Sequence, residues 1–255
     1  MLESTKLKKL NLSKLAVSPT DVCELLEAMG NLEELELCYM ESLDFPSFCQ
    51  VVKIGSNLKQ ISIFGCKQIT LTQLFQVVDC KCVITAPEGQ TFEFAVKQNK
   101  AMIHKNFQGK LNFTVGTLTT VQCYPSTGFP PKFSFSTLNR VTGMGFLPFF
   151  EVIPTSIGVH SCSLFIEGKA VVKLMKHNTN FVGTPTSFTL FGRSFCYVIQ
   201  KVGQSQILSI TENKKIITKV SVNNSFYQLE ISEGFSINLA LAIVFLCFLY
   251  EEKKL

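Results

Sequence analysis

The chain has 255 residues, of which 46% are apolar and 17% charged, with a formal net charge of +5. This composition excludes a disordered tail or linker, and the length accommodates two ordinary domains or one large one. The lysines are scattered rather than gathered in one run, so the mild positive charge gives no basis for a nucleic-acid partner. Charges at Glu3, Lys6, Lys8, Lys9 and Lys14 occupy the stretch where a signal peptide would need its apolar core. Most of the ten cysteines lie inside apolar segments, the pattern of reduced core residues.

The first third is repetitive. Leu7-Lys8-Lys9-Leu10-Asn11-Leu12, Leu32-Glu33-Glu34-Leu35-Glu36-Leu37 and Leu58-Lys59-Gln60-Ile61-Ser62-Ile63 are one pattern recurring at intervals of 25 and 26 residues. The last two apolar residues of each copy stand two apart, so both face the same side of a short strand. Between the strands the spacing predicts helices. Ser18 is a candidate N-cap, Pro19 fits the first helical position, Asp21 suits the positive end of the dipole and Gly30 stops the run. A second helix is predicted over Pro46 to Ile54, stopping at Gly55.

The later copies, such as Ile63-Phe64-Gly65-Cys66-Lys67-Gln68-Ile69-Thr70, resemble the cysteine-containing leucine-rich repeats of F-box adaptor proteins over roughly residues 5 to 82. In such repeats the strands form the concave face that binds a partner protein. The resemblance therefore implies a binding face carrying Lys8, Asn11, Glu33, Glu36, Lys59 and Ser62. No F-box segment precedes the repeats and the chain begins almost inside one. This points to a fragment of a longer chain or to an end covered by a partner.

Around Ala86-Pro87-Glu88-Gly89-Gln90 helical spacing gives way to alternation, which places a domain boundary near residue 85. Phe92, Phe94 and Val96 alternate with Glu93, Ala95 and Lys97, and Phe133 and Phe135 with Ser134 and Ser136. Similar short runs continue to residue 231, separated by turn-forming clusters such as Gly183-Thr184-Pro185 and Asn223-Asn224-Ser225. Ten or so strands spaced as hairpins predict a sandwich or a barrel.

The last element is Phe235 to Tyr250, which from Leu239 onward contains no charged or amide side chain. As a helix its 16 residues would span about 24 Å, short of a hydrocarbon core of roughly 30 Å, and Ser236 and Asn238 weaken its first turn for that role. The alternative is a helix surrounded by protein.

Strands followed by one apolar helix resemble the tubby C-terminal and phospholipid scramblase-like superfamily. The matching segments are Phe195-Cys196-Tyr197-Val198-Ile199, Ile207-Leu208-Ser209-Ile210, Lys215 to Val220, Phe226 to Ile231, and then the helix. The resemblance implies an antiparallel β-barrel over residues 86 to 255, closed around a central helix at 236 to 250. It also implies a basic patch for anionic phospholipid head groups, with Lys169, Lys173, Lys176 and Arg193 as candidates. The bland alternative for these residues is solvated charge on outward strand faces. The acidic, calcium-linked segment of scramblases is not matched, because Asn223-Asn224-Ser225 stands in its place.

Catalytic signals are sparse. His104, His160 and His177 do not pair at metal-ligand spacing, and no phosphate-binding glycine loop is present. Cys80-Lys81-Cys82 has one intervening residue, the wrong spacing for a zinc knuckle or a redox pair. The sequence therefore predicts an α+β protein with a short leucine-rich-repeat segment followed by a barrel around a helix. Its expected role is that of a non-enzymatic adaptor without cofactor or metal, cytoplasmic or peripheral at a membrane, with a protein and an anionic phospholipid as partners. A tail-anchored membrane protein and a scramblase-like protein are the alternatives.

Overall fold

The computed structural model describes residues 7–95, 99–105, 111–115, 118–125, 132–138, 141–142, 145–154, 161–175, 185–203, 205–223 and 226–251. The chain alternates strands and helices at first: β1 (Lys9–Asn11), α1 (Pro19–Ala28), β2 (Glu34–Glu36), α2 (Phe45–Ile54), β3 (Gln60–Ser62), α3 (Leu71–Leu74), β4 (Val83–Thr85) and β5 (Thr91–Phe92). Ser18, Asp44 and Thr70, spaced 26 residues apart, each accept a hydrogen bond from the backbone N–H three residues on and so start the three helices. The Asp21 carboxylate in turn accepts from the Ser18 N–H at 3.1 Å, closing a capping box. Met29 rather than Gly30 caps the first helix, whereas Gly55 does cap the second.

β1 to β4 are parallel and in register, Leu10 beside Leu35, Ile61 and Ile84. Leu12, Leu37 and Ile63 follow two residues later and are buried with Leu35 and Ile61 against Val22, Leu26, Phe48 and Val51 of the helices. Past the strands the ladder continues, Lys14 N–H to the Cys38 carbonyl, Tyr39 to Phe64 and Gly65 to Pro87, at 2.8 to 3.0 Å. Lys14, Tyr39 and Gly65 all take positive φ there. At Gly65 a side chain is also sterically barred, because a Cβ would lie 2.4 Å from the Tyr39 ring.

The first sheet runs past residue 85. The Ala86–Gly89 turn, with Gly89 at φ 96°, reverses the chain so that β5 pairs antiparallel with β4 and completes a five-stranded sheet ending at Phe92. Phe94, read as part of the first β-domain strand, instead forms a bridge with Ser236, and Val96 lies outside the described residues.

The remaining strands are β6 (Asn99–Lys105), β7 (Leu111–Val115), β8 (Leu118–Pro125), β9 (Phe133–Leu138), β10 (Phe146–Pro154), β11 (Ser161–Ile166) and β12 (Lys169–Met175). They continue with β13 (Thr186–Leu190), β14 (Arg193–Val202), β15 (Ser205–Glu212), β16 (Lys215–Asn223) and β17 (Phe226–Ile231), and α4 (Ile237–Glu251) ends the fold. Alternation shapes them: in β13, Phe188 and Leu190 are buried while Ser187 and Thr189 are exposed. The hairpin loops Glu167–Gly168, Phe191–Gly192 and Asn213–Lys214 have both residues at positive φ, the two-residue turn whose twist matches the flanking strands.

All twelve strands form one antiparallel sheet, from β12 through β6 to β17 and on to β13. Its two ends, β12 and β13, come within 8 Å between Cα atoms, but no hydrogen-bonded register joins them among the described residues.

α4 packs on β10, β11 and β16, strands from both limbs of that sheet. Every residue from Ile237 to Cys247 is at most 7% exposed, and Phe245 meets the Phe135 ring edge-on at 4.7 Å. Asn238 fixes its start: its carbonyl accepts from the Glu93 N–H at 2.8 Å and its amide donates to the Thr91 carbonyl at 3.1 Å. Ser236 accepts from the Leu239 N–H at 3.2 Å, an N-cap. The two polar residues that weaken a membrane span are thus the ones that dock the helix. Among the described residues no helix is long and apolar enough to cross a membrane.

Candidate interaction surface

The register of β1 to β3 turns the outward positions into rows. Asn11, Glu36 and Ser62 form one row and Lys9, Glu34 and Gln60 another, on either side of the line of half-buried Leu10 and buried Leu35 and Ile61. Lys8, Glu33 and Lys59 stand one residue before the three strands. There Glu33 bridges both lysines, at 3.1 Å to Lys8 and 2.6 Å to Lys59. The sequence reading missed Lys9, Glu34 and Gln60. Strict alternation from Leu10, Leu35 and Ile61 would have found them, since strand neighbours of a buried residue point outward.

Charges on this face are matched within it. Lys9 reaches Glu36 at 2.8 Å and Glu34 at 3.4 Å, and Asn11 donates to Glu36 at 2.6 Å. The Glu36 carboxylate, by hydrogen bond and charge, raises the Lys9 ammonium above its ordinary value. Hydrogen bonds from Lys59 and then Lys8 lower the Glu33 carboxyl below its own. Such exposed pairs add little stability, but they set where the side chains stand. Ser62 meets the Cys38 sulfur at 3.2 Å.

At the end of the rows Tyr39 is 47% exposed, edge-on to Phe64 at 5.4 Å and under the Lys14 ammonium at 5.2 Å from its ring. A crevice of about 340 Å³ beside it is walled by Tyr39, Lys67 and Thr70 on the repeat side and by Glu167 of the β11–β12 turn.

The candidate lipid-contacting residues do not form one set. Lys169 is exposed at the start of β12, and Lys173 stands opposite Ser163 in register. Lys176 lies outside the described residues. Arg193 is not a free cation: its guanidinium makes two 2.7 Å bonds to the Glu212 carboxylate. It also sits over the rings of Phe195 and Phe235, at 5.5 and 5.1 Å from their centres. The hairpin register places Glu212 opposite Phe195, two residues from Arg193, within reach of this pairing.

Cys80 and Cys82 come together in the structure. Their sulfurs are 3.3 Å apart, because Asp79 at φ 52° turns the chain and the two thiols leave the following segment on one side. Among the described residues no group of three potential metal ligands comes together. Neither the protein-family models nor the curated proteins compared with this chain match it.

Proposed function

We propose that the chain is a non-enzymatic adaptor whose repeat strands bind a partner protein and whose β region rests on an anionic phospholipid surface of the cytoplasm. The observation that carries this reading is the in-register strand face, which holds nine polar or charged positions in three rows on a rigid parallel ladder. Its acidic and basic groups balance, Glu33, Glu34 and Glu36 against Lys8, Lys9 and Lys59. It therefore favours a partner read through matched short-range contacts over one drawn in by a long-range field. Tyr39 at the rim supplies an exposed aromatic of the kind that anchors interfaces.

The β region is read as a tubby/scramblase-like barrel closing across β12 and β13 around α4. Support comes from the β6–β17 pairing, which makes the strand order a ring with a single break, and from the burial of α4. The lipid-facing residues in this reading are Lys169, Lys173 and Lys176, without Arg193.

Charge reversal at Glu34 and Glu36 to lysine tests the partner face, with Glu24→Lys and Glu27→Lys on α1 as the control. Proteins captured from lysate by the wild type should be lost with the first pair and retained with the second, and an unchanged captured set overturns the reading. Sedimentation with phosphatidylserine vesicles tests the lipid arm. Binding should fall in a Lys169→Glu, Lys173→Glu variant, and a wild type that stays in the supernatant removes that arm.

A further inference from the structure

A loop at the junction of the two regions holds a feature that neither the repeats nor the sheet requires. Cys80 and Cys82 follow α3 and lead directly into β4, with their sulfurs in contact at 3.3 Å. Other cysteines of the repeats satisfy their thiols against oxygen: Cys66 donates to the Leu37 carbonyl at 3.1 Å, and Cys38 meets the Ser62 hydroxyl. At Cys80 and Cys82 sulfur meets sulfur, and the Cys80 thiol also reaches the Cys82 carbonyl at 3.7 Å. Packing alone asks for no such contact, since one thiol there would fill the space with a single soft group.

Both residues are nearly solvent-free, yet they form part of the wall of a cavity of about 490 Å³ between the end of α2 and the 76–82 loop. Cys49, Lys53, Asp79 and Lys81 share that wall. The cavity thus borders both cysteines, and two lysines contribute to its wall.

We infer that Cys80 and Cys82 are a redox-active dithiol site, which a small anionic disulfide of the glutathione class oxidises to an intrachain disulfide. The Cys80 thiolate attacks one sulfur of the small disulfide. A mixed disulfide forms on Cys80 and one small thiolate leaves, taking up the proton that Cys80 lost. The Cys82 sulfur then attacks the Cys80 sulfur, expels the second small thiolate and passes it a proton. Two protein thiols are oxidised, one small disulfide is reduced to two thiols, and no other reactant is needed.

The sulfurs must close from 3.3 Å to a bond of about 2.05 Å, a shift that side-chain rotation can supply. Chemistry favours Cys80 as the attacking group: the hydrogen bond from Cys82 holds its thiol below the ordinary value against the opposing effect of burial. That same contact, together with burial, pushes the Cys82 thiol up, which leaves the first attack to Cys80.

The ring so formed encloses Lys81. Its ammonium pairs with Glu233 at 2.8 Å, and Asp79 beside it lies against Gly234, just before α4.

The full-length protein is equilibrated with mixtures of oxidised and reduced glutathione, quenched with acid and mapped by mass spectrometry. The peptide spanning residues 80–82 should lose two hydrogens in oxidising mixtures and regain them in reducing ones. Cys82→Ser should retain one glutathione on Cys80, and Cys80→Ser should carry several-fold less on Cys82. A dithiol-selective arsenical, phenylarsine oxide, should protect both thiols of the folded wild type from alkylation. The inference fails if the wild-type peptide keeps its hydrogens at every ratio. It fails equally if adducts collect on Cys23, Cys38 or Cys49 while residues 80 and 82 remain thiols. The wild-type readouts decide the matter even if a serine variant folds poorly.

Discussion

In the repeats Leu35 and Leu37 meet Ile61 and Ile63, which lie 26 residues on, whereas the buried Asn238 of the β region reaches Glu93 and Thr91 across 145 and 147 residues. Each repeat thus closes on its neighbour with side chains that a short loop delivers. The β region depends on its last element, since α4 packs on β10 and β11 in one half of the sheet and on β16 in the other. Polar groups follow the same division. Ser18, Asp44 and Thr70 cap helices from three residues away, while Asn238 satisfies backbone groups on the far side of the chain. Short-range closure makes a quasi-linear stack, and long-range closure makes a slower, all-or-none unit.

The two regions meet at Phe75, which touches the rings of Phe92, Phe149 and Phe191 at 5.0 to 5.2 Å. Gln90 adds a 3.2 Å bond to the Pro148 carbonyl, and the Thr91 N–H one of 3.0 Å to Thr137. Phe75→Ala should break the comparison most severely. It costs about 3–5 kcal/mol and removes the shared aromatic contact, so denaturant unfolding should be a single transition in the wild type and split into two in the variant, read by circular dichroism and tyrosine fluorescence. A single transition that merely moves to lower denaturant would mean that the polar bonds suffice to couple the regions.

A smaller effect separates the regions rather than uncoupling them. Asn238→Ala strands the Glu93 N–H and the Thr91 carbonyl, at a cost of about 2–4 kcal/mol. Amide hydrogen exchange should accelerate in β10, β11, β16 and α4 and stay unchanged in β2 and β3. Equal acceleration in the repeats would show that they draw their stability from α4.

Acid gives the smallest effect, and it acts on the other side. Hydrogen bonding to Ser47 lowers the Asp44 carboxyl below its ordinary 3.8, and the two lysines lower Glu33 below 4.5. A carboxyl depressed by folding stabilises above its unfolded value, and that contribution disappears as pH falls through the lower folded value. Between about pH 5 and about pH 2 protection should therefore fade at the α2 start and along the β1–β3 rows, read by hydrogen exchange at each pH. Glu233, lowered by Lys81, adds the same sensitivity at the junction. A β region that loosens first would reverse the assignment.

Much of this division is legible in the residues. The period of 25 and 26, the Ser18 cap and the Gly55 stop gave the strand and helix positions of the repeats, because each depends on neighbours within a turn or two. The alternation of Phe133 and Phe135 likewise marked a strand, and it falls in β9 with Phe135 buried. Three features escaped. The sheet runs past residue 85, since β5 is only two residues long and takes its role from the partner it folds onto. Arg193 looked like free charge because its carboxylate partner, Glu212, comes from the next strand of the sheet. The contact of the Cys80 and Cys82 sulfurs went unread because a single intervening residue matches no metal or redox motif.

By itself the sequence determined the elements, the buried faces and the presence of one helix that had to be hidden, all consequences of hydrophobic period and local capping. Only the tertiary structure decided where that helix went and why Asn238 belongs at its head. An amide is a liability or an anchor according to the backbone groups opposite it, and those lie 145 residues away, where no local pattern can announce them.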